Sequence, residues 1–304
     1  MSRASKFETC PRAYWYHYYG AWGGWKRGAP AAVREAYLLK KLSPRAAWAG
    51  SAVHDLLAAL LATHKRRGGG LPPLEEAVER LHAVMADEFR GSRAGRYRHQ
   101  KALGLLEHEY DEAVSDDQWR ETYAKARASL EGFYQSPVFE EILASDPAGW
   151  FPIDALASFP FEGTQIYAAP DFAFRVEGDR VRMLDWKTGR PREKDLDQLK
   201  GYVLFVESQW GISRHALQAE LHYLGQGETT LVEIDDASLE AFTDRMRASI
   251  AEMQARLDDV EGNVASPERF EPTPSARTCA RCNFRRLCEA RLDAAPPSPA
   301  PEAL

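Results

Sequence analysis

The sequence predicts an α/β protein in which helices flank a mixed central sheet and a helical lobe is attached. Three observations carry this. Two pairs of short apolar runs, Phe172 to Val176 with Val181 to Trp186 and Leu217 to Tyr223 with Thr230 to Ile234, read as β-hairpins around Glu177-Gly-Asp-Arg180 and Gly225-Gln-Gly-Glu228. A helix of about Leu196 to Glu207 lies between them. Residues 68 to 149 open with Gly68-Gly-Gly-Leu-Pro-Pro73 and continue as charged helical sequence, including Leu74 to Phe89 and Asp116 to Tyr134, and so read as a helical insertion.

The 304 residues suffice for one large or two modest domains, and 44% hydrophobic content with 11% aromatic suits a packed core. One domain is expected over residues 1 to 293, followed by a Pro/Ala tail, 294 to 304, too poor in large apolar side chains to pack. No 18-residue apolar run occurs and Met1-Ser-Arg-Ala-Ser-Lys6 precedes no apolar segment, so the expectation is a cytoplasmic protein without a membrane span. With 39 basic against 45 acidic residues the net charge is -6, which argues mildly against coating nucleic acid by bulk charge. Two local clusters, Lys65-Arg-Arg67 and the run Arg90, Arg93, Arg96, Arg98, His99 and Lys101, read either as strand-tracking surface or as solvated segments.

Taken in order, residues 7 to 22 are crowded with aromatics, which serve core packing or base stacking, and Thr9 or Cys10 can cap a helix with Pro11 in its first turn. Ser43-Pro44 reads as a cap and first-turn proline of a helix to about His64, with Val53, Leu56, Leu57, Leu60 and Leu61 on its buried stripe. His54 borders that stripe, either as a satisfied core residue or as a ligand, and Gly50 one turn earlier permits close approach of another group. In the first hairpin Asp185 and Lys187 project from one face and Trp186 from the other, while Asp171, the first residue of the preceding strand, reaches the same end. On the following helix Gln198 and Tyr202 are four apart and share a face; Asp195-x-x-Gln198 also reads as a capping box. A last amphipathic helix is expected over Asp236 to Leu257.

Two carboxylates side by side are hard oxygen ligands for Mg2+ or Mn2+, and a lysine beside them can orient a water or offset charge on phosphorus. The same residues also read as a surface salt bridge. Four cysteines, Cys10 and Cys279-x-x-Cys282-x5-Cys288, suit zinc or an iron-sulfur cluster in a reducing compartment. There is no Walker A sequence and hence no ATP-driven motor.

Pro170-Asp171, thirteen residues, then Asp185-Trp186-Lys187 resembles the PD-(D/E)XK nuclease superfamily. Gly50-x-x-x-His54, Gln198-x-x-x-Tyr202 and the cysteine spacing are similar to its RecB-like iron-sulfur branch, with the AddB nuclease domain and CRISPR-associated RecB-like exonucleases. The resemblance implies a restriction-endonuclease-like αβββαβ core and a 4Fe-4S cluster on Cys10, Cys279, Cys282 and Cys288 that joins the N- and C-terminal segments. It implies Mg2+ or Mn2+ on His54, Asp171, Asp185 and the Trp186 carbonyl, with Lys187 activating water and Gln198 and Tyr202 steadying the DNA backbone. The implied activity is a DNA exonuclease on single-stranded ends, in repair and recombination or in CRISPR adaptation, with a helicase or CRISPR adaptation partner. The alternatives are a non-catalytic iron-sulfur DNA-binding or scaffold subunit of a helicase-nuclease complex and a zinc-stabilised phosphodiester hydrolase. The stretch between His54 and Asp171 has no counterpart in the resemblance.

Overall fold

The computed structural model describes residues 2–178 and 180–292, so the expected tail and Asp179 of the first hairpin turn lie outside the described residues. Helix α1 (Ser2–Thr9) leads through Cys10, an N-cap residue, into α2 (Pro11–Trp15), which runs on as a π-helical turn over Tyr16–Gly20. Next come α3 (Ala31–Leu39), a two-residue strand β1 (Leu42–Ser43) and the long α4 (Arg45–Arg67). The expected Ser43 cap is displaced by one residue, because Pro44 holds the N-cap position and Ser43 pairs in β1. The orphan N–H of Arg45 is instead met by the buried Glu107 carboxylate, at 2.9 and 3.1 Å, where negative charge suits a helix N-terminus.

Residues 68–149 form α5 (Leu74–Arg93), β2 (Gly104–Leu105), α6 (Leu106–Glu109), α7 (Asp116–Gln135) and α8 (Pro137–Ala144). β2 pairs parallel with β1. This segment is a wall of the main core and not an appended lobe: Leu81, Met85, Leu130 and Phe133 pack with Val53 and Leu57 of α4 and with Phe172, Leu184 and Trp186. The reason is physical, since the apolar stripes of α5 and α7 can be buried only against another element. Gly132 permits the closest approach; a Cβ there would stand 1.9 Å from the Leu224 carbonyl oxygen. By length and composition alone α4 could cross a bilayer, yet Val53, Leu57 and Leu61 are fully buried in this core.

Strands β3 (Ala157–Phe161) and β4 (Thr164–Ala168) form an antiparallel hairpin that the sequence reading missed, turning on Glu162 and Gly163, both at positive φ. Then follow β5 (Phe172–Arg175), β6 (Val181–Lys187), α9 (Glu193–Phe205), β7 (Leu217–Tyr223), β8 (Glu228–Val232), α10 (Asp236–Ala255) and the short α11 (Ala276–Ala280). The central sheet is mixed, in the order β5-β6-β7-β8, with β6 and β7 parallel across α9 and the outer pairs antiparallel. β3 and β4 stand apart from it as a two-stranded sheet. The free edge of β5 is taken by the chain at 150–151, where Phe151 N–H donates to the Ala173 carbonyl at 2.9 Å and Trp150 bridges Phe174.

Alternation along β6 divides two cores. Leu184 and Trp186 face α4 and α7, whereas Val181 and Met183 pack with Leu199 and Phe205 of α9. On the first face Arg182 donates twice to buried Glu220, at 2.8 and 2.9 Å, and His222 Nε2 stands 2.8 Å from the same carboxylate. Burial pushes the Glu220 carboxyl up, but the hydrogen bonds from His222 and Arg182 prevail and bring it down to about 2. A depressed carboxyl stabilises the fold above its ordinary range, and that stabilisation is lost as pH falls through the folded value. Replacing Glu220 by glutamine takes the buried carboxylate from half-buried Arg182 and leaves it only the exposed Glu141, which should cost about 1–3 kcal/mol at neutral pH by urea unfolding. The gap from wild type should narrow toward pH 2; a gap that ignores pH would show that Glu220 acts through packing alone.

Candidate active site

The C-terminal end of β6 emerges where α4 and α9 flank the sheet. Asp185 is only 1% exposed, and Lys187, two residues on along the same face, brings its ammonium 2.5 Å from Asp185 Oδ2. Lys187 also donates to Gln198 Oε1 at 2.7 Å, Gln198 Nε2 donates to the Tyr202 hydroxyl at 2.7 Å, and Tyr202 donates to the Ala169 carbonyl at 2.9 Å. The capping role expected for Gln198 falls to another residue. α9 starts at Glu193, one turn earlier than expected, and Asp195 Oδ2 accepts from the Arg192 N–H at 3.1 Å, leaving Gln198 free to hold the lysine.

Asp171 precedes β5 by one residue, and each of its oxygens is engaged: Oδ2 accepts from the Trp186 N–H at 2.7 Å and Oδ1 faces His54 Nδ1 at 3.2 Å. His54 reaches it from α4. One turn earlier, a Cβ on Gly50 would lie 2.8 Å from Thr188 Oγ1, so the glycine lets α4 rest against the end of β6. The six side chains singled out in the sequence, His54, Asp171, Asp185, Lys187, Gln198 and Tyr202, thus converge on one place. Three contributors were missed: the Ala169 carbonyl, Thr188 and Asp154. Thr188 was within reach of a reader who paired Gly50 with the residue after the lysine. Asp154 gives no sequence signal; its N–H donates to the Asp171 carbonyl at 3.3 Å, its φ is +44°, and burial and the charges of Asp171 and Asp55 raise its carboxyl.

The electrostatics of the cluster favour added positive charge. Burial, then the Asp171 charge, pushes the Asp185 carboxyl well above the ordinary carboxylate range, against the pull of Lys187 and His54. Burial opposes charge on His54, yet the adjacent Asp171 carboxylate raises the imidazole overall. Burial and the same two carboxylates raise Tyr202, so its hydroxyl remains a donor. Asp185 Oδ2 touches the Lys187 ammonium without the alignment of a hydrogen bond, and is the buried side-chain atom left without such a partner among the described residues. Among those residues no three His, Cys, Asp or Glu side chains stand in a metal-holding group. The donor types nevertheless suit a hard divalent cation: two carboxylates, one with an unsatisfied oxygen, beside an imidazole.

A family model of the PD-(D/E)XK nuclease superfamily matches residues 1–289. The chain belongs to this superfamily. Membership points to a nuclease, and PD-(D/E)XK proteins are typically metal-dependent. None of the curated proteins compared with the chain matches it.

Cys10, Cys279, Cys282 and Cys288 are all unpaired thiols and line one small cleft with Tyr16, Phe284 and Arg285. Burial raises the Cys282 thiol to about 11, the other three cysteines adding to the effect, while the Phe284 N–H donates to its Sγ at 3.4 Å. Independent of these thiols, Arg12 Nε donates to the Phe270 carbonyl at 2.9 Å, Tyr16 to Leu287 at 2.8 Å, and Asn283 Nδ2 to the Leu39 and Leu42 carbonyls at 2.8 Å. The basic runs are engaged only in part, and Arg66, Arg67, Arg90, Arg93, His99 and Lys101 are exposed. Arg96 pairs with Asp87, Arg98 with Glu109 and Glu35, and Lys65 donates to the Trp150 carbonyl at 2.6 Å.

The chain from Lys187 through Gln198 and Tyr202 to Ala169 generates a test by double-mutant cycle. Tyr202→Phe leaves the half-buried Ala169 carbonyl unmet and should destabilise by about 1–2 kcal/mol, and Gln198→Ala by about 1 kcal/mol. Because the two share partners, the double variant should fall short of their sum by at least about 0.5 kcal/mol in urea unfolding; strict additivity would break the chain into unrelated contacts.

Proposed function

We propose that the protein is a metal-dependent deoxyribonuclease acting as an exonuclease on single-stranded DNA ends in the cytoplasm. Repair and recombination with a helicase partner, or CRISPR adaptation, is the setting this reading favours. The observation that carries it is the lysine held between Asp185 and Gln198 beside the Asp171–His54 pair. Bound by His54, Asp171, Asp185 and the Trp186 carbonyl, Mg2+ or Mn2+ would supply Lewis acidity and a more acidic water. Lys187 offers a fixed ammonium to orient the attacking water and offset charge developing on phosphorus. Gln198 fixes that ammonium in turn, and Tyr202 anchors Gln198 to the backbone at Ala169. His54 serves as a ligand only when neutral, so its pairing with Asp171 ties metal affinity to pH.

The four cysteines are proposed to hold a 4Fe-4S cluster, in keeping with the RecB-like branch. Support comes from their shared cleft, the N–H···S bond at Cys282 and the mutual repulsion that bound iron would relieve. Its role is structural, as a clamp on segments already joined by hydrogen bonds.

On end-labelled single-stranded DNA with Mn2+, Asp185→Asn and Lys187→Ala should each lower the cleavage rate at least about 100-fold while the protein stays folded. Wild-type rates in both would leave a DNA-binding scaffold. Since His54 and Asp185 both sit above their ordinary values, protons compete with the cation, and the half-saturating Mn2+ concentration should rise as pH drops from about 8 to about 6. Protein purified without oxygen should contain about four iron and four sulfide per chain, and Cys10→Ala should lose them. One zinc with no iron would overturn the cluster without touching the nuclease reading.

A further inference from the structure

The loop after the π-helical turn carries two tryptophans that the fold leaves uncovered. Trp22 is 69% exposed and Trp25 48%, and their rings meet edge to face at 5.0 Å. Trp25 lies 5.6 Å from the Tyr37 ring of α3, over which the Lys41 ammonium stands at 3.7 Å. This exposure is built. Trp22 N–H donates to Tyr19, Gly24 N–H to Ala21 and Lys26 N–H to Gly23, and Gly23 and Gly28 adopt φ of +81° and +84°. Gly24 is pressed onto α3, where a Cβ would meet the Val33 carbonyl oxygen at 2.6 Å.

Along the chain the charge flanking the two tryptophans is of one sign. From Thr9 to Arg34 the chain has no Asp or Glu, and the first carboxylate, Glu35, is spent on Arg98 and Arg286. Lys26, Arg27 and Arg34 are exposed and, among the described residues, have no ion-pair partner, whereas Arg98 is neutralised by buried Glu109 and Arg96 pairs with Asp87 at the surface. Arg34 stands three residues before Tyr37, on the neighbouring part of the same helix face. Solvent-facing aromatic rings between unpaired cations match the chemistry of an unpaired nucleic-acid strand, whose bases stack while its phosphates seek positive charge. The patch is within reach of the candidate active site: four residues of at most ~3.6 Å, then nine helical residues at ~1.5 Å, keep Lys41 within about 28 Å of His54.

We infer that Trp22, Trp25 and Tyr37, with Lys26, Arg27 and Lys41, form a stacking platform for single-stranded DNA, separate from the catalytic end of β6. The choice of DNA rests on the proposed nuclease activity. The platform is tested on the full chain in EDTA, so that binding is read whether or not the protein cleaves. Fluorescein-labelled oligothymidylate should bind at least tenfold more weakly to Trp22→Ala/Trp25→Ala by anisotropy, with unchanged melting. Trp22→Phe/Trp25→Phe should recover most of the loss, and Lys26→Ala/Arg27→Ala should flatten the salt dependence. A duplex of the same length should be indifferent to the tryptophans. Equal affinity in the alanine double variant would overturn the platform; so would a wild-type dimer that this variant dissolves without change in DNA binding, which would give the surface to a second copy of the chain.

Discussion

The burial of Asp185 is the constraint on which the rest of the structure turns. A carboxylate 1% exposed, at the end of a strand between two apolar cores, is costly unless positive charge and hydrogen bonds are brought to it. The protein supplies one ammonium, Lys187, and holds it with Gln198, Tyr202 and a backbone carbonyl. It also brings a second carboxylate, Asp171, which worsens the repulsion. Two carboxylates set this close, one with an unsatisfied oxygen, are a cost that the proposed divalent cation would offset. The cost is carried by the packing of Trp186 and Leu184 on one face and Met183 and Leu199 on the other.

That arrangement explains why β6 is central and its neighbours are what they are. β5 brings Asp171 alongside because the pair is antiparallel, with Phe172 opposite Leu184. The parallel step to β7 demands a crossover, and α9 is that crossover, so Gln198 and Tyr202 are delivered to the lysine by the connection that completes the sheet. α4 delivers His54 from the opposite face, and Gly50 sets how near it can come.

Most of this site was legible in the sequence because its members obey short periods. Asp185 and Lys187 are two apart on a strand, Gln198 and Tyr202 four apart on a helix, and Gly50 and His54 four apart on another. The core stripe on α4 was legible for the same reason. What escaped depends on contacts between distant residues. Glu107 caps α4 from 62 positions away, and nothing near Ser43 announces it. Residues 68–149 read as a lobe since their partners, Leu184 and Trp186, lie far along the chain. β3 was missed partly through Pro160, which a two-stranded edge tolerates but a strand reading penalises. Asp195 and Gln198 offered competing explanations of the same turn, and only the start of the helix at Glu193 decides between them.

The two ends of the chain add a separate layer. The aromatic run divides: Tyr14 is buried against Phe7 and Phe270, whereas Trp22, the last residue of that run, is left in solvent. The boundary falls at the π-helical turn, where the chain stops packing on the C-terminal segment and turns outward through Gly23 and Gly24. Aromatics before it join the hydrogen bonds from Arg12, Tyr16 and Asn283 in tying the two ends together. The four thiols therefore meet in a cleft whose walls are already joined by ordinary hydrogen bonds and ring contacts. A metal centre there would act on a closed structure, so its contribution adds to that closure and is distinct from the chemistry at the end of β6.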